Sequence, residues 1–315
     1  MKILIVLGRR LLWSIPLLFV VSIITFALAS LMPGDVASVI LGTGATPEQR
    51  ALITEQLGLD QPLWVQYTSW LGGALQGDLG SSVFSNESVA GMLSSRLPVT
   101  LSLAFLTLIA CVLLGVLLGA LSAIRGGALA RILDATSLIA MSIPSFWFAA
   151  VMIIVFAVAI PLFPVSGYVP FADSPQLWFA SLVLPVFCLA TSSVAGLALQ
   201  MRGQMVATFR SDFVKALRAN GISPRSILYR HVLKNAAGPV VTLTGLLVVT
   251  LLGGTVFMEK VFGMAGLGTL AVNATARHDL PVIQGVVVYF TLVVIVVNLI
   301  TDVAYAALNP KVVTS

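Results

Sequence analysis

Few residues in this chain have the type and spacing that enzymatic chemistry requires. His231 and His278 are the only histidines, and the HExxH and GxSxG motifs do not occur. A phosphate-binding loop needs Gly-Lys before Ser or Thr, but no lysine in the sequence follows a glycine. The sequence GMAGLG at residues 263–268 is half of a dinucleotide fingerprint, but it follows an apolar helix, which favours a turn. The sequence therefore predicts no catalytic residues, no metal and no cofactor bound by the chain, with Cys111 and Cys188 as small core residues.

The apolar character of the chain predicts its fold class. Charged residues make up 9% of it and its mean hydropathy is +1.05, whereas soluble domains carry about 25% charged residues. A helix of about 20 apolar residues crosses the hydrocarbon core, where lipid cannot satisfy backbone polar groups. The sequence thus predicts an all-α membrane protein with six transmembrane helices, at residues 11–31, 99–124, 132–160, 177–200, 239–258 and 281–308.

Proline and glycine positions predict the shape and packing of these helices. Pro16, Pro144 and Pro185 each remove a backbone donor, which predicts a kink or bend. The sequence GVLLG at residues 115–119 places two glycines on one face, which favours close helix packing. The basic residues, apolar run and ALAS sequence of residues 2–30 are also compatible with a cleaved signal peptide, although the apolar run is long for one.

The distribution of basic residues predicts the orientation. With a cytoplasmic N-terminus, thirteen of the seventeen Lys and Arg residues lie on the inner side, and only Arg50, Arg96, Lys260 and Arg277 lie outside. Both termini are then cytoplasmic, including the tail at residues 309–315. The net charge of +5 is an orientation signal, and we do not expect nucleic-acid binding.

Residues 32–98 form one long external segment after the first helix. Within it, Thr46 and Gln49 have the spacing of a capping box around Pro47, which predicts a helix start. The segment is either a lid on the outer helix ends or a docking and gating surface.

A basic stretch interrupts the apolar chain at residues 201–236, where seven Lys or Arg residues occur. Phe209, Phe213, Ala216, Leu217 and Asn220 recur at helical spacing, Gly221 breaks the helix, and the Ser-Pro pair at 223–224 restarts it. Either this helix-turn-helix touches anionic lipid, or its apolar face and basic rim dock into a groove on a cytoplasmic partner.

No internal energy source is evident. Asp134 and Asp302 lie near the cytoplasmic helix ends, and no Lys, Arg, Glu or His lies in the middle of a predicted span, which disfavours a proton- or ion-coupled carrier. A secondary transporter or channel therefore fits less well than a chain that is driven by a partner.

The basic stretch resembles the conserved cytoplasmic EAA loop of ABC importer permeases, in its di- and oligopeptide form. The resemblance rests on KALRANG at residues 215–221 and LYRHVLKNAAGPVVT at 228–242. Lys215, Ala216 and Leu217 occupy the positions of the Glu-Ala-Ala triplet before Gly221, and Leu217 departs from the pattern. Further similar motifs follow in the family's order: MPGD (32–35), LGLDQPLWVQY (57–67), GDLGSS (77–82), RLPVTLSLA (96–104), IPSFW (143–147), FPVSG (163–167) and FGMAGLG (262–268).

This resemblance implies a type I ABC importer permease whose residues 99–308 form the permease domain. It implies a second, homologous permease, two cytoplasmic subunits that use ATP and Mg, an extracytoplasmic substrate-binding protein, and a peptide substrate. Nickel and other small-solute permeases look similar, so they stay open as alternatives. The residues that the resemblance assigns to ATPase coupling are Phe213, Lys215, Ala216, Leu217, Arg218, Gly221, Arg225 and His231.

Overall fold

The computed structural model describes residues 2–32, 36–42 and 44–308. The predicted tail at 309–315 and the last three residues of the MPGD motif lie outside the described residues. The first helices are α1 (Lys2–Ser30), α2 (Val36–Leu41), α3 (Pro47–Gln56), α4 (Leu63–Ala74), α5 (Val89–Arg125), α6 (Gly127–Ser142) and α7 (Ser145–Ile153). After them come α8 (Pro175–Arg210), α9 (Asp212–Ala219), α10 (Pro224–Ser226), α11 (Leu233–Val261), α12 (Leu267–Arg277) and α13 (Leu280–Leu308). Two π-helical stretches extend this set: Ile154–Ala159 continues α7, and Ile227–Val232 joins α10 to α11.

The predicted all-α membrane fold is confirmed. Within the described residues, five helices are long and apolar enough to cross a membrane: Arg10–Ser30, Val89–Arg125, Pro175–Arg210, Pro224–Val261 and Leu280–Thr301. A sixth candidate is the pair Gly127–Ser142 and Ser145–Ala159, which is bent by 95°. The number of spans therefore reaches the predicted six when this bent pair counts as one span.

The third span, predicted over residues 132–160 with a kink or bend at Pro144, is broken into α6 and α7 at Ile143 and Pro144. Ile143 is extended, with ψ 123°, and Pro144 takes the N-cap position of the next helix. A proline clashes with a helical conformation of the residue before it and removes a backbone donor, so the chain breaks there. The kink predicted at Pro144 is thus confirmed, whereas Pro16 and Pro185 lie inside helices that continue past them.

The chain divides into two compact units. Among the described residues, the large unit contains Leu101–Met264, the start of α1 up to Leu7 and the end of α13 from Val296, and the small unit contains Gly8–Thr100 and Ala265–Ile295. In the large unit, the predicted close packing at residues 115–119 is confirmed. A Cβ atom built on Gly115 would lie 2.8 Å from Cβ of Leu197, and one built on Gly119 would overlap the carbonyl oxygen of Ala198. Helices α5 and α8 therefore approach so closely that only glycine fits on the α5 side.

The small unit has a core that joins the long segment after α1 to α12 and α13. Its buried residues include Leu79, Val89 and Leu93, which pack with Leu267 and Val282. Because these residues are far apart in sequence, this core holds the segment in a fixed fold. The segment also contributes helices α2 to α4 and the first residues of α5.

The capping box predicted at the start of α3 is present. The backbone N–H of Gln49 donates to Oγ1 of Thr46 at 3.3 Å, and that of Thr46 donates to Oε1 of Gln49 at 3.0 Å. The pKa of Glu48 is lowered, because its own backbone N–H and then the Thr46 hydroxyl donate to the carboxylate. These contacts fix the N-terminal end of α3.

A buried carboxylate anchors the loop at residues 81–86 within the small unit. The hydroxyl of Ser82 donates to Oδ2 of Asp279 at 2.5 Å, and the backbone N–H of Val83 donates to Oδ1 at 3.4 Å. The Ser82 oxygen in turn accepts from the backbone N–H groups of Phe84 and Ser85, each at 3.2 Å. Asp279 therefore ties this loop to the turn between α12 and α13.

Replacing Asp279 with asparagine is expected to destabilise this loop by about 1–2 kcal/mol, because hydrogen bonds to a charged acceptor are stronger than those to an amide oxygen. Hydrogen exchange at residues 82–86 in the purified protein measures the effect and should become faster. Glu87→Gln, which neutralises an exposed carboxylate directly after this loop, is the control and should leave exchange unchanged. Equal protection in Asp279→Asn and wild type would show that the carboxylate does not anchor the loop.

Candidate functional site

The predicted helix-turn-helix is present between α8 and α11. Helix α8 continues to Arg210, so the first ten residues of the predicted 201–236 loop extend the fourth span. Ser211 is extended, and α9 then runs over Asp212–Ala219. We call residues 211–236 the coupling segment, after the role that the family resemblance implies for them.

Gly221 ends α9 as predicted, and its geometry explains why a glycine is needed. Its φ is +74°, which places it in the left-handed region. The N–H of Gly221 donates to the carbonyl of Arg218 at 3.0 Å, and the N–H of Ile222 donates to that of Leu217 at 3.1 Å. These two bonds form a Schellman motif. A Cβ on Gly221 would have no atom within 4 Å. Glycine is therefore required here by the backbone conformation and not by steric crowding.

The restart at residues 223–224 is also confirmed. Oγ of Ser223 accepts the N–H of Ser226 at 3.4 Å, and Pro224 takes the first helical position. The helix that begins there runs without a break to Val261. Any displacement of the turn therefore acts at the end of a membrane helix.

One side of the coupling segment packs into a core of its own. Val214 is fully buried, and Phe209, Leu217 and Ile222 pack beside it. This cluster also contains Ile227, Val232 and Ala236, together with Met201 and Met205 of α8. The turn is therefore braced against the ends of α8 and α11.

The contacts of this core show that the apolar face predicted for α9 is partly wrong. Phe209 and Leu217 belong to the inner side, whereas Phe213, Ala216 and Asn220 lie exposed on the other. The prediction also missed Val214, although the spacing of Val214 and Leu217, three residues apart, is a helical signal. The departure of Leu217 from the family triplet now has a physical reason, since a leucine fills the inner core where an alanine would fill less of it.

The exposed side of α9 has an apolar centre and a basic margin. Phe213 is 42% exposed, and Ala216 and Asn220 follow it at helical spacing. Lys215 and Arg218 are exposed beside them. Nζ of Lys215 lies 2.8 Å from Oδ1 of Asp212, but both side chains are solvated, so this ion pair adds little stability.

The remaining predicted site residues lie on the second arm of the turn. Arg225 is exposed in the first turn of that helix, and Tyr229 is exposed one turn later. His231 is half-buried, and its carbonyl accepts Nδ2 of Asn235 at 2.8 Å. The eight predicted residues are thus brought into one segment, with Leu217 facing inward and the others exposed or half-buried.

An ion pair without a signature in the sequence lies on α8, before the coupling segment. Arg202 of α8 contacts the carboxylate of Asp134 on α6, and both side chains are partly buried. Their separation of 68 residues has no local signature, so only tertiary structure identifies the pair. Through this contact α6 is linked to the helix that leads into the coupling segment.

Replacing Gly221 with valine is expected to strain the turn by about 1–2 kcal/mol, because a side chain is disfavoured at positive φ. If the turn has the ATPase-coupling role that the family resemblance implies, ATP-driven uptake should fall, while the chain still inserts in the membrane. Gly221→Asn is the matched control, since asparagine tolerates this conformation, and it should retain most uptake. Full uptake by the valine variant would contradict a role for the turn.

Comparison with known proteins now identifies the class. The family model described as "Binding-protein-dependent transport system inner membrane component" matches residues 112–314, and its N-terminal companion model matches residues 3–104. The chain therefore belongs to this family of multi-pass inner-membrane transport components, which confirms the resemblance stated from the motifs.

Curated relatives match along almost the whole chain. A putative peptide transport system permease protein of Brucella abortus is 37% identical over 96% of this chain and 97% of its own length. The oligopeptide transport system permease protein AppB of Bacillus subtilis is 34% identical over 96% of this chain and 98% of its own. The glutathione transport system permease protein GsiC of Escherichia coli is 37% identical over 96% and 97%.

A solved structure shows the same fold. The inward-facing methionine ABC transporter MetNI matches with a TM-score of 0.54 and 20% identity, over 67% of this chain and 93% of that one. At this identity the likeness concerns the fold alone. It agrees with the prediction of a type I ABC importer permease.

Proposed function

We propose that this chain is a transmembrane permease subunit of an ATP-driven importer of di- or oligopeptides, with the coupling segment as its contact with cytoplasmic ATPase subunits. The observation that carries the proposal is the braced turn at residues 211–236. Its inner side has a core, and its outer side exposes Phe213 within a basic margin. A helical element that buries one apolar side and exposes another is suited to a groove on a partner protein.

The remainder of the assembly follows from the same proposal. A second, homologous permease completes the pathway, two ATP-binding subunits supply the energy with ATP and Mg, and a substrate-binding protein delivers the peptide. Both termini and the coupling segment are cytoplasmic in this arrangement, in agreement with the Lys and Arg distribution. The relatives named for peptide and glutathione transport support a peptide-like substrate.

Uptake of a labelled dipeptide by cells with and without this chain tests the proposal. We expect ATP-dependent uptake that requires the chain, competition by unlabelled longer peptides, and no competition by nickel. Competition by nickel alone would indicate that the permease transports a metal ion. Uptake by the isolated chain in liposomes without ATP would contradict the proposal and favour a secondary transporter.

A further inference from the structure

The second arm of the coupling segment, residues 224–236, has a charged side that the proposed contact of α9 does not use. Val232 and Ala236 are fully buried in the inner core, which fixes the side of the helix that faces the protein. Arg230 and Lys234 are both exposed. They are four residues apart, so they lie about one helical turn from each other on the outer side.

These two cations lack an acidic partner. No Asp or Glu occurs in the sequence between Asp212 and Glu259. Within the part of the chain that the structure describes, neither Arg230 nor Lys234 takes part in a salt bridge. The positive field on this side of the helix is therefore not neutralised by the chain itself, and it attracts anions.

The position of the two cations along the helix places them at the membrane surface. The uncharged run of α11 extends from Ala236 to Met258, which is long enough to cross the hydrocarbon core. Lys234 lies about 3 Å outside this run and Arg230 about 9 Å outside it, at the rise of an α-helix. The headgroup layer is about 5–8 Å thick on each side, so the side chains of both residues can reach a lipid phosphate. Arg225 lies about 16 Å outside the run, beyond the headgroups.

The packing of α5 supports this level independently. Ala123 of α5 packs against the same buried cluster that contains Ala236. The apolar part of α5 ends at Arg125, which is exposed. Helices α5 and α11 therefore leave the hydrocarbon core at about the same level, and each has an exposed cation two residues beyond the shared core.

We propose that Arg230 and Lys234 bind the phosphate of an anionic phospholipid in the cytoplasmic leaflet. A phosphodiester has one negative charge and several acceptor oxygens, which match the donors of a guanidinium and an ammonium group. Phosphatidylcholine also contains a quaternary ammonium, so its net charge is zero and its attraction to this side is weaker.

The coupling segment then has two sides with different partners. Helix α9 contacts the ATPase subunits, and the second arm holds the start of α11 at the membrane surface. Movement of the turn is thereby resisted on the lipid side and driven on the protein side. The inference rests on the proposed function for the cytoplasmic position of the segment.

Photolabelling by a phosphatidylglycerol analogue, with its photoreactive group beside the headgroup, tests the inference. The complete transporter is reconstituted in phosphatidylcholine nanodiscs, and mass spectrometry of the digested chain locates the label. We expect label within residues 227–236, with competition by unlabelled phosphatidylglycerol but not by additional phosphatidylcholine. Sodium chloride at about 0.5 M should reduce the label, because salt screens exposed charges.

Variants locate the binding residues. Arg230→Gln and Lys234→Gln should each lower the label within residues 227–236 about fivefold, and the double variant about 25-fold, in line with the contribution of single cations near an anionic surface. Arg277→Gln is the matched control, because it removes an exposed cation of α12, and it should leave the label unchanged. A thermal unfolding curve that matches wild type shows that each variant is folded.

Several outcomes would overturn the inference. One is label that is absent from residues 227–236, or that even the double variant does not lower. Equal competition by glycerol 3-phosphate in solution would show that this side takes a free phosphate and not a lipid. Label that appears only after removal of the ATPase subunits would assign the second arm to the partner protein.

Uptake separates this inference from the proposed function. If ATP-driven dipeptide uptake proceeds and the label is absent, the lipid inference fails and the proposed function stands. If the label is present and lowered by the variants but no ATP-driven uptake occurs, the lipid inference stands and the proposed function fails.

Discussion

Replacing Phe213 with alanine is expected to weaken the proposed association of the chain with ATPase subunits by about 2–4 kcal/mol, the range of an interface hot spot. Phe213 is 42% exposed at the centre of the outer side of α9, so the chain itself gains little from burying it. In the assembled transporter an aromatic side chain at this place would fill a groove in the partner. Retention of the ATPase subunits during purification, and ATP-driven uptake in membranes, measure the effect.

Val214→Ala is the matched control for this variant. Val214 is adjacent in sequence but fully buried on the inner side. Its truncation should lower the stability of the chain by about 2 kcal/mol, since buried methyl groups are lost, with a smaller effect on assembly once the protein is folded. Normal assembly and uptake by Phe213→Ala would contradict the assignment of the outer side as the contact.

Replacing Gly119 with valine is expected to have the largest effect on folding, at about 3 kcal/mol or more. A Cβ at this position would overlap the backbone carbonyl oxygen of Ala198 and would lie 2.7 Å from Cβ of Met201. Backbone atoms cannot move aside as a side chain does, so α5 and α8 would have to separate. Because α8 leads into the coupling segment, uptake should be lost together with stability. Thermal unfolding of the purified chain in detergent measures the loss.

Gly253→Val separates this steric effect from the general effect of a valine in a membrane helix. Gly253 lies inside α11, and a Cβ there would meet no atom within 4 Å. We expect its unfolding temperature to stay near that of wild type, because valine is at least as compatible with a helix as glycine. Equal destabilisation by the two variants would mean that the α5–α8 contact is less tight than the geometry indicates.

Local signals in the sequence predict the helices, turns and caps of this protein. The spans follow from hydropathy over about 20 residues, and the turn at Gly221 follows from a glycine before a Ser-Pro pair. The capping box at Thr46 was read from four adjacent residues, and it is present. In each case the interacting groups are near neighbours in the chain, so the local sequence pattern is enough to predict the structural element.

Features that depend on distant residues could not be predicted in this way. The inward side of α9 is set by where the ends of α8 and α11 lie, so the sequence did not separate Phe213 from Val214. The contact of Asp134 with Arg202 joins residues 68 apart, and that of Ser82 with Asp279 joins residues 197 apart. No periodicity connects such pairs. A cavity lined by Gln56, Trp70 and Pro281 likewise exists only once α3, α4 and the α12–α13 turn have come together.

Photocrosslinking from the coupling segment tests the central proposal most directly. A photoreactive phenylalanine analogue replaces Phe213 in one variant and Val214 in another, in membranes that contain the complete transporter. The proposal predicts that illumination joins the Phe213 variant to an ATP-binding subunit, and that the Val214 variant, whose side chain faces inward, gives little or no such product. Absence of an ATP-binding subunit from the Phe213 product, with adducts to lipid in its place, would contradict the coupling role and favour a membrane-surface loop.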